Sequence, residues 1–415
     1  MGSIIIGSGY RGLTFLEWLP KLGEEIAAVV EINEAKHNFI KWQLEKQGIN
    51  VPPFYTDYKK AFEEIPYSQA DKVFIITPEF THKEIFNECI KRKYHIFLEK
   101  PIATTKNDVA DMVNISKDYD KDIQVGFLLR FTDFYIKVKE IISQGLIGKI
   151  SLIQMNERLT VTRGIPLKKD WHGKWEATGG FFNEKCSHDI DLMLWLKEDQ
   201  AKPVEIFSYG SQEFGVEKGH PEKCSKCEKP NCPFRNQGDK VLEEFLGEHP
   251  EEREKFVSAF ENMDKCYFNS GSQVFDTQSA IIIFDDGSHG DFSYILVSGK
   301  PGRDILIHGT KGCLEGSFDT GYIKYTIYDT GEVKEITLDL LDKHQGGDER
   351  IIKNFLDKTC NNISDKDTLA HGALASVVAF MGDYSMYTGK VESIPKIDEY
   401  REFVPFEKYM EKIKK

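Results

Sequence analysis

The sequence predicts an α/β protein in two parts. The first is a doubly wound parallel sheet, and the second is an α+β domain with an open, mainly antiparallel sheet. Three observations predict this. From residue 3 to about 125, short apolar strands alternate with helix-length segments, the spacing of parallel βαβ units. The first strand, Ser3-Ile4-Ile5-Ile6, runs straight into Gly7-Ser8-Gly9-Tyr10-Arg11-Gly12 and an apolar helical period at Leu13, Leu16 and Leu19. After Lys149-Ile150 the period changes, and long strands are separated by the turn signals Asp285-Asp286-Gly287 and Asp329-Thr330-Gly331. The expected division is a Rossmann domain over 1–128 and an α+β domain over 129–415, the latter with a Cys-containing insert at about 213–273.

Composition narrows the functional classes. The chain has 415 residues, of which 40% are hydrophobic, enough to bury a large core. A net charge of -13 with no long basic block disfavours a nucleic-acid partner. The apolar runs are strand-sized, such as Ala280-Ile281-Ile282-Ile283-Phe284, so no membrane span is expected. Met1 leads directly into the first strand with no charged, cleavable leader, and the expected compartment is the cytoplasm. Eight cysteines are too few for a disulfide scaffold in a chain of this length.

In the opening turn, Gly7 makes the tight bend, Gly9 lets the backbone approach a pyrophosphate, and Gly12 lets helix pack on strand. Ser8, Tyr10 and Arg11 complete the loop at the positive end of the helix. The second strand, Ile26 to Val30, ends in Glu31, at the offset where a carboxylate meets the adenosine ribose. That carboxylate would repel a 2′-phosphate, so NAD is expected over NADP. Arg11, Lys36 and His37 are the nearby cations that could oppose it, with Lys36 expected a turn beyond the strand end.

Ligands on such sheets bind beyond the carboxyl ends of the strands. After the strand Lys72–Thr77 comes Thr77-Pro78, followed by a helix from about Thr81 to Lys93. After Tyr94–Leu98 comes Glu99-Lys100-Pro101, and after Asp122–Gly126 comes Arg130. Lys100 therefore points into the cofactor crevice, where its ammonium can exchange a proton or stand beside a developing alkoxide. The plainer reading is a surface lysine at a strand end.

Together these residues resemble the glucose-fructose oxidoreductase / inositol dehydrogenase / MocA family (Gfo/Idh/MocA). The likeness runs from Gly7-x-Gly9-x-x-Gly12 through Thr77-Pro78-x-x-x-His82, Glu99-Lys100-Pro101 and Gly126-Phe127-x-x-Arg130-Phe131. It continues in Gly145-x-Ile147-Gly148 and Gly179-Gly180-Phe181-x-x-Glu184-x-x-x-His188-x-x-Asp191, and ends near His371. The resemblance implies that Lys100 and His188 handle a substrate hydroxyl. It adds His82, Glu99, Lys100 and Arg130 to the residues expected around the cofactor.

In the second domain, Ile150 to Leu159 reads as a long strand, and a helix is expected from Glu184 to Leu196. Glu184 and His188 at i and i+4 would share a helical face, so the carboxylate can orient the imidazole as a base. Without the family context the pair is an ordinary solvated one. The family more often has aspartate where this chain has Glu184. Lys185 is a candidate substrate contact, and Trp171 could stack on substrate or nicotinamide. Strands over Thr277–Phe284, Ser288–Val297, Arg303–Gly309 and Tyr322–Tyr328 form the open sheet, whose free face suits a second copy of the chain. Helices close the sequence at about Asp348–Thr359 and Asp367–Tyr387. His344, beside Gly346-Gly347, either touches substrate or merely precedes Asp348 as a helix cap.

The insert reads as helical and solvated from about Gln237 to Asp264. Before it, His220-x-x-x-Cys224-x-x-Cys227-x-x-x-x-Cys232 has the spacing of a structural zinc site, with Cys266 as another possible ligand in place of His220. Free loop cysteines are the alternative. The expected function is NAD-dependent hydride transfer between a sugar or cyclitol hydroxyl and nicotinamide. Two alternatives stand beside it: a glycosidase or lyase that retains its NAD through transient ring oxidation, and a non-catalytic dinucleotide-binding regulator. The lysine and histidine pair argues against the regulator.

Overall fold

Six strands build the first sheet: β1 (Gly2–Ile6), β2 (Ile26–Val30), β3 (Phe54–Tyr55), β4 (Ala70–Ile75), β5 (His95–Leu98) and β6 (Ile123–Val125). They lie in the order β3-β2-β1-β4-β5-β6, all parallel. The structure is a computed structural model describing residues 1–169, 171–212, 219–229, 231–235, 264–340, 344–361, 363–364 and 367–396. The helix expected at about Gln237–Asp264 lies, but for Asp264, outside the described residues. Strands buried on both faces read as continuous apolar runs, and β1, β2 and β4 are buried along their whole length. The reversal of strand order at β1 and β4 opens the crevice where such sheets bind ligands.

Nine further strands form the second sheet. They are β7 (Ile150–Arg158), β8 (Pro203–Ser211), β9 (Thr277–Phe284), β10 (His289–Ile295) and β11 (Asp304–Gly309). The rest are β12 (Gly312–Ser317), β13 (Tyr322–Ile327), β14 (Val333–Thr337) and the short β15 (Glu392–Ser393). The order is β14-β13-β12-β11-β7-β10-β9-β8-β15, antiparallel throughout except between β7 and β10. Burial alternates along β9 and β10, so one face is covered and the other is not. The covered face carries the helices: Phe181 lies 5.0 Å from Tyr294, and Phe182 lies 5.8 Å from Phe292, between ring centroids.

The chain ends by returning to the first sheet. Phe355, on the helix Gly347–Cys360, sets its ring edge-on to Phe74 of β4 and Phe97 of β5. Thr368, at the start of the helix Asp367–Thr388, accepts from Val125 N and donates to Ile123 O, both at 3.1 Å. This helix also reaches the second sheet, where Ser385 Oγ accepts from Ser208 N at 3.0 Å. The two sheets are thereby clamped by the same helix, and the crevice at the end of β1, β4 and β5 acquires a second wall.

Candidate active site at the carboxyl edge of the parallel sheet

Gly7 has φ +92°, and a Cβ there would sit 2.3 Å from the Ile76 carbonyl oxygen. A Cβ on Gly12 would sit 2.4 Å from the Gly7 carbonyl oxygen. Neither position tolerates a side chain. A Cβ on Gly9 would meet nothing within 4 Å, so the space before it is open. The helix Tyr10–Lys21 starts at Gly9 without a side-chain cap and with no acid in its first turn. Its first N–H groups thus suit an anion, and this cradle fits a dinucleotide pyrophosphate.

Glu31 is buried at the end of β2, as expected. Its Oε2 accepts from Ser8 N at 3.2 Å and Ser8 Oγ at 3.0 Å, and its Oε1 accepts from Asn33 N at 3.0 Å. Lys36 does not stand a turn away: its Nζ is 3.6 Å from Glu31 Oε1, because a short 3₁₀ turn folds it back. His37 Nε2 lies 2.7 Å from the Glu31 carbonyl oxygen.

Arg11 Nε donates to Glu99 Oε1 at 2.7 Å and its Nη1 to Asp348 Oδ1, while its Nη2 is buried without a partner. The other Asp348 oxygen lies 2.5 Å from His344 Nδ1. Burial pushes the Asp348 carboxyl up, but His344 and Arg11 outweigh it and hold it down at about 2. Asp348 is not the helix cap, a place taken by Gly346 at φ +74°. His344 and Asp348 instead extend a chain of contacts from the second wall through Arg11 to Glu99 of the Glu-Lys-Pro motif. Glu99 also accepts from Lys100 N at 3.1 Å.

His82 is a staple. Its ring nitrogens lie 3.0 Å from the Pro101 carbonyl oxygen and 2.9 Å from that of Thr77, joining the Thr77-Pro78 turn to the Lys100-Pro101 turn. Burial lowers its pKa, and a neutral ring donates to only one of them. Lys100 crosses the crevice, its Nζ donating to the Glu184 carbonyl oxygen at 2.6 Å.

Glu184 and His188 do not share one helix. The short helix Phe181–Glu184 ends, and a second, Ser187–Lys197, begins after a turn at Lys185-Cys186. Glu184 therefore does not orient His188, which corrects the i,i+4 reading. Its Oε1 is 3.2 Å from His172 Nδ1, and its Oε2 is buried without a partner. Burial pushes this carboxyl up, while His172, Lys100 and Lys185 pull it down to about 2. Trp171 stacks on His172 with centroids 3.7 Å apart and meets Phe80 edge-on at 6.1 Å, so the indole bridges both walls.

His188 is buried, with its ring edge-on to Phe127 and no hydrogen-bond partner on Nδ1. Burial, then the ammonium of Lys100, lowers its pKa well below the usual value. Lys185 Nζ is 3.0 Å from Glu157 Oε1, and Arg303 binds both Glu157 and Asp189. Burial raises Asp189 to about 7 against the pull of Arg303. Arg130 forms a bidentate pair with Asp191 at 2.7 and 2.6 Å. That pair fastens the end of the parallel sheet to the helix carrying His188.

The cysteines come together, but not as expected. Cys224, Cys227, Cys232 and Cys266 line one small cavity with His220. Among the described residues, however, no group of three or more His, Cys, Asp or Glu side chains is arranged to hold a metal ion. The zinc reading of the spacing finds no support in this geometry. The His220 ring lies on Phe268 at 4.3 Å in an aromatic cluster with Phe234 and Tyr267. Cys224 Sγ is 3.7 Å from the Lys265 carbonyl oxygen. Among the described residues, no helix is long and apolar enough to cross a membrane.

Residues 1–127 match a model described as an oxidoreductase family, NAD-binding Rossmann fold, and residues 139–390 match that family's C-terminal alpha/beta domain. The myo-inositol 2-dehydrogenase of Thermotoga maritima is 28% identical over 207 residues, covering 50% of this chain and 57% of the relative. The inositol 2-dehydrogenase of Rubrobacter xylanophilus is 23% identical over 190 residues, 44% of this chain and 48% of the relative. The chain spans less than two thirds of the length of such curated relatives. Among solved structures, a levoglucosan dehydrogenase in complex with NADH and levoglucosan superposes with a TM-score of 0.71 at 16% identity, covering 95% of this chain and all 100% of that one. The myo-inositol 2-dehydrogenase of Lactobacillus plantarum gives 0.68 at 19%, covering 95% and 99%. These structures share the two-sheet fold.

Proposed function

This chain belongs to the Gfo/Idh/MocA oxidoreductase family, and from that premise we propose that it is an NAD-dependent dehydrogenase of a sugar or cyclitol. The observation that carries the reading is one pocket holding both a lysine from the parallel sheet and a neutral imidazole from the second wall. The relatives named inositol 2-dehydrogenase support a cyclitol or sugar as the substrate class.

Bound NAD supplies a hydride acceptor. The reacting carbinol loses hydride from carbon and a proton from oxygen, leaving a carbonyl. His188 takes the proton. Its burial and the neighbouring ammonium keep the ring neutral near neutral pH, which is the form a base needs. Lys100 is anchored by one N–H on the Glu184 carbonyl, and its remaining N–H groups would stabilise the oxygen that becomes negative. The Glu184 main-chain carbonyl positions that lysine, and the Glu184 carboxylate with His172 braces the wall behind it. Glu31 selects NAD over NADP by repelling a 2′-phosphate, which Lys36 at 3.6 Å tempers but does not reverse.

The test is to incubate the protein with NAD and a panel of myo-inositol, levoglucosan and common aldoses, and to follow NADH absorbance. At least one polyol should give NADH, and binding of NAD with no NADH from any member would overturn the reading. A second copy of the chain is the proposed partner of the uncovered sheet face, where Phe207, Tyr209 and Ile281 are exposed. Sedimentation at two concentrations tests it.

A further inference from the structure

The pocket holds a carboxyl that hydride transfer does not use. Glu79 follows Thr77-Pro78 directly at the carboxyl end of β4, and its side chain is only 5% exposed. Its Oε1 is buried with no hydrogen-bond partner. Other buried polar atoms of the site share that condition, among them Arg11 Nη2, Glu184 Oε2 and His188 Nδ1. Buried polar groups are expensive to leave unmade, so these orphans in one site point to a ligand that completes them.

We propose that Glu79 is a substrate-binding residue which, with Glu184 on the opposite wall, engages hydroxyl groups of an uncharged polyol. The proposal rests on the dehydrogenase reading and narrows its substrate class. Two observations support it, beside the unpartnered Oε1. Glu79 lies in the electrostatic field of Glu184, Lys100 and Glu99, so it shares the site of the lysine that the reaction needs. Burial, then the charge of Glu184, raises the Glu79 carboxyl well above its usual range against the pull of Lys100. A carboxyl that keeps its proton both donates and accepts, which matches a hydroxyl in either sense.

The remaining cations of the pocket argue against a sugar acid. Lys185 is paired with Glu157, and Arg303 is held by Glu157 and Asp189. A substrate carboxylate would meet the charge of Glu184, with Lys185 and Arg303 already paired to carboxylates. A residue that merely braced the Thr77-Pro78 turn would have both oxygens bonded to that turn. Instead, that brace is His82.

Glu79→Ala and Glu79→Gln in the full chain test the proposal, assayed with the polyol oxidised fastest in the panel and with its monodeoxy analogues. Glu79→Ala should raise KM about tenfold or more, the worth of roughly one good hydrogen bond. The kcat value, the affinity for NADH and the melting temperature should stay close to wild type. Glu79→Gln should fall between the two. One monodeoxy analogue, lacking the hydroxyl that meets Glu79, should have the same KM in wild type and Glu79→Ala. A KM within twofold of wild type, an equal loss on every analogue, or a parallel loss of NADH affinity would overturn the proposal. If wild type oxidises no polyol, the dehydrogenase reading fails by itself. Calorimetric binding of the same panel to the NADH complex then decides on Glu79. Tenfold weaker binding in Glu79→Ala upholds it, and no binding in wild type or no change in the variant overturns it.

Discussion

Lys100 Nζ donates a 2.6 Å hydrogen bond to the main-chain carbonyl of Glu184, not to its carboxylate. The bond joins the end of a parallel strand to the turn between two helices of the second wall. Because it uses backbone, the lysine's position is insulated from the chemistry of the Glu184 side chain.

The first prediction follows from that insulation. Glu184→Gln removes the charge facing His172 but leaves the carbonyl, so kcat should fall by about tenfold or less. Lys100→Met removes the cation itself and should cost about 10²-fold or more. Equal losses in steady-state kinetics would mean that the carboxylate, not the carbonyl, holds the lysine.

The second concerns pH. His188 has its pKa lowered by burial and then by Lys100, so the ring is already neutral at pH values where a free imidazole is half protonated. The acid limb of kcat/KM should therefore lie below about 6.5, with little change from there to pH 8. An acid limb at or above that value would show that His188 is not the base or is not buried in the working enzyme.

A third prediction concerns cofactor choice. Glu31 is fixed by Ser8 and Asn33, and a 2′-phosphate beside it would cost on the order of 1–4 kcal/mol. Lys36 at 3.6 Å tempers this and would favour the phosphate once the carboxylate is gone. The wild type should prefer NAD in kcat/KM, and Glu31→Ser should shift the ratio toward NADP by about tenfold or more. No shift in the variant would place the ribose elsewhere.

Asp348→Asn tests the clamp between the glycine-rich turn and the helix Gly347–Cys360. It takes one of two carboxylates from a half-buried guanidinium, a loss of about 1–3 kcal/mol. The melting temperature should drop by a few degrees and NAD should bind more weakly. The native Asp348 carboxyl is held at about 2, below its unfolded value of about 4. The gap to wild type should thus be full above pH 4 and close as pH falls toward 2. An unchanged melting temperature at neutral pH would make the contact incidental.

What could be read from the sequence was what repeats or is local. The strand period, the three glycines and the residues after each strand located the crevice, since backbone sterics and strand ends follow from neighbours in the chain. The pairings were not legible, because they join residues far apart. Nothing near Arg11 announces Asp348, and nothing near Arg130 announces Asp191. The i,i+4 spacing of Glu184 and His188 misled because the helix breaks at Lys185-Cys186, a break that neither glycine nor proline signals. His172 and Glu79 stood beside residues that were singled out, Trp171 and Thr77-Pro78, and only the fold turns them into one pocket. The strands β12 and β14 were missed because β12 opens on glycine and β14 is largely exposed at an edge.

The most direct test of the central claim is the yield of NADH per polyol consumed, measured in wild type, Lys100→Met and His188→Ala, with NADH affinity measured beside it. The account predicts one NADH for each polyol oxidised in wild type. It predicts a rate about 10²-fold lower in each variant, with NADH affinity unchanged. Polyol consumed without net NADH would mean that hydride returns to the substrate within the site, and near-normal rates in both variants would remove Lys100 and His188 from the chemistry.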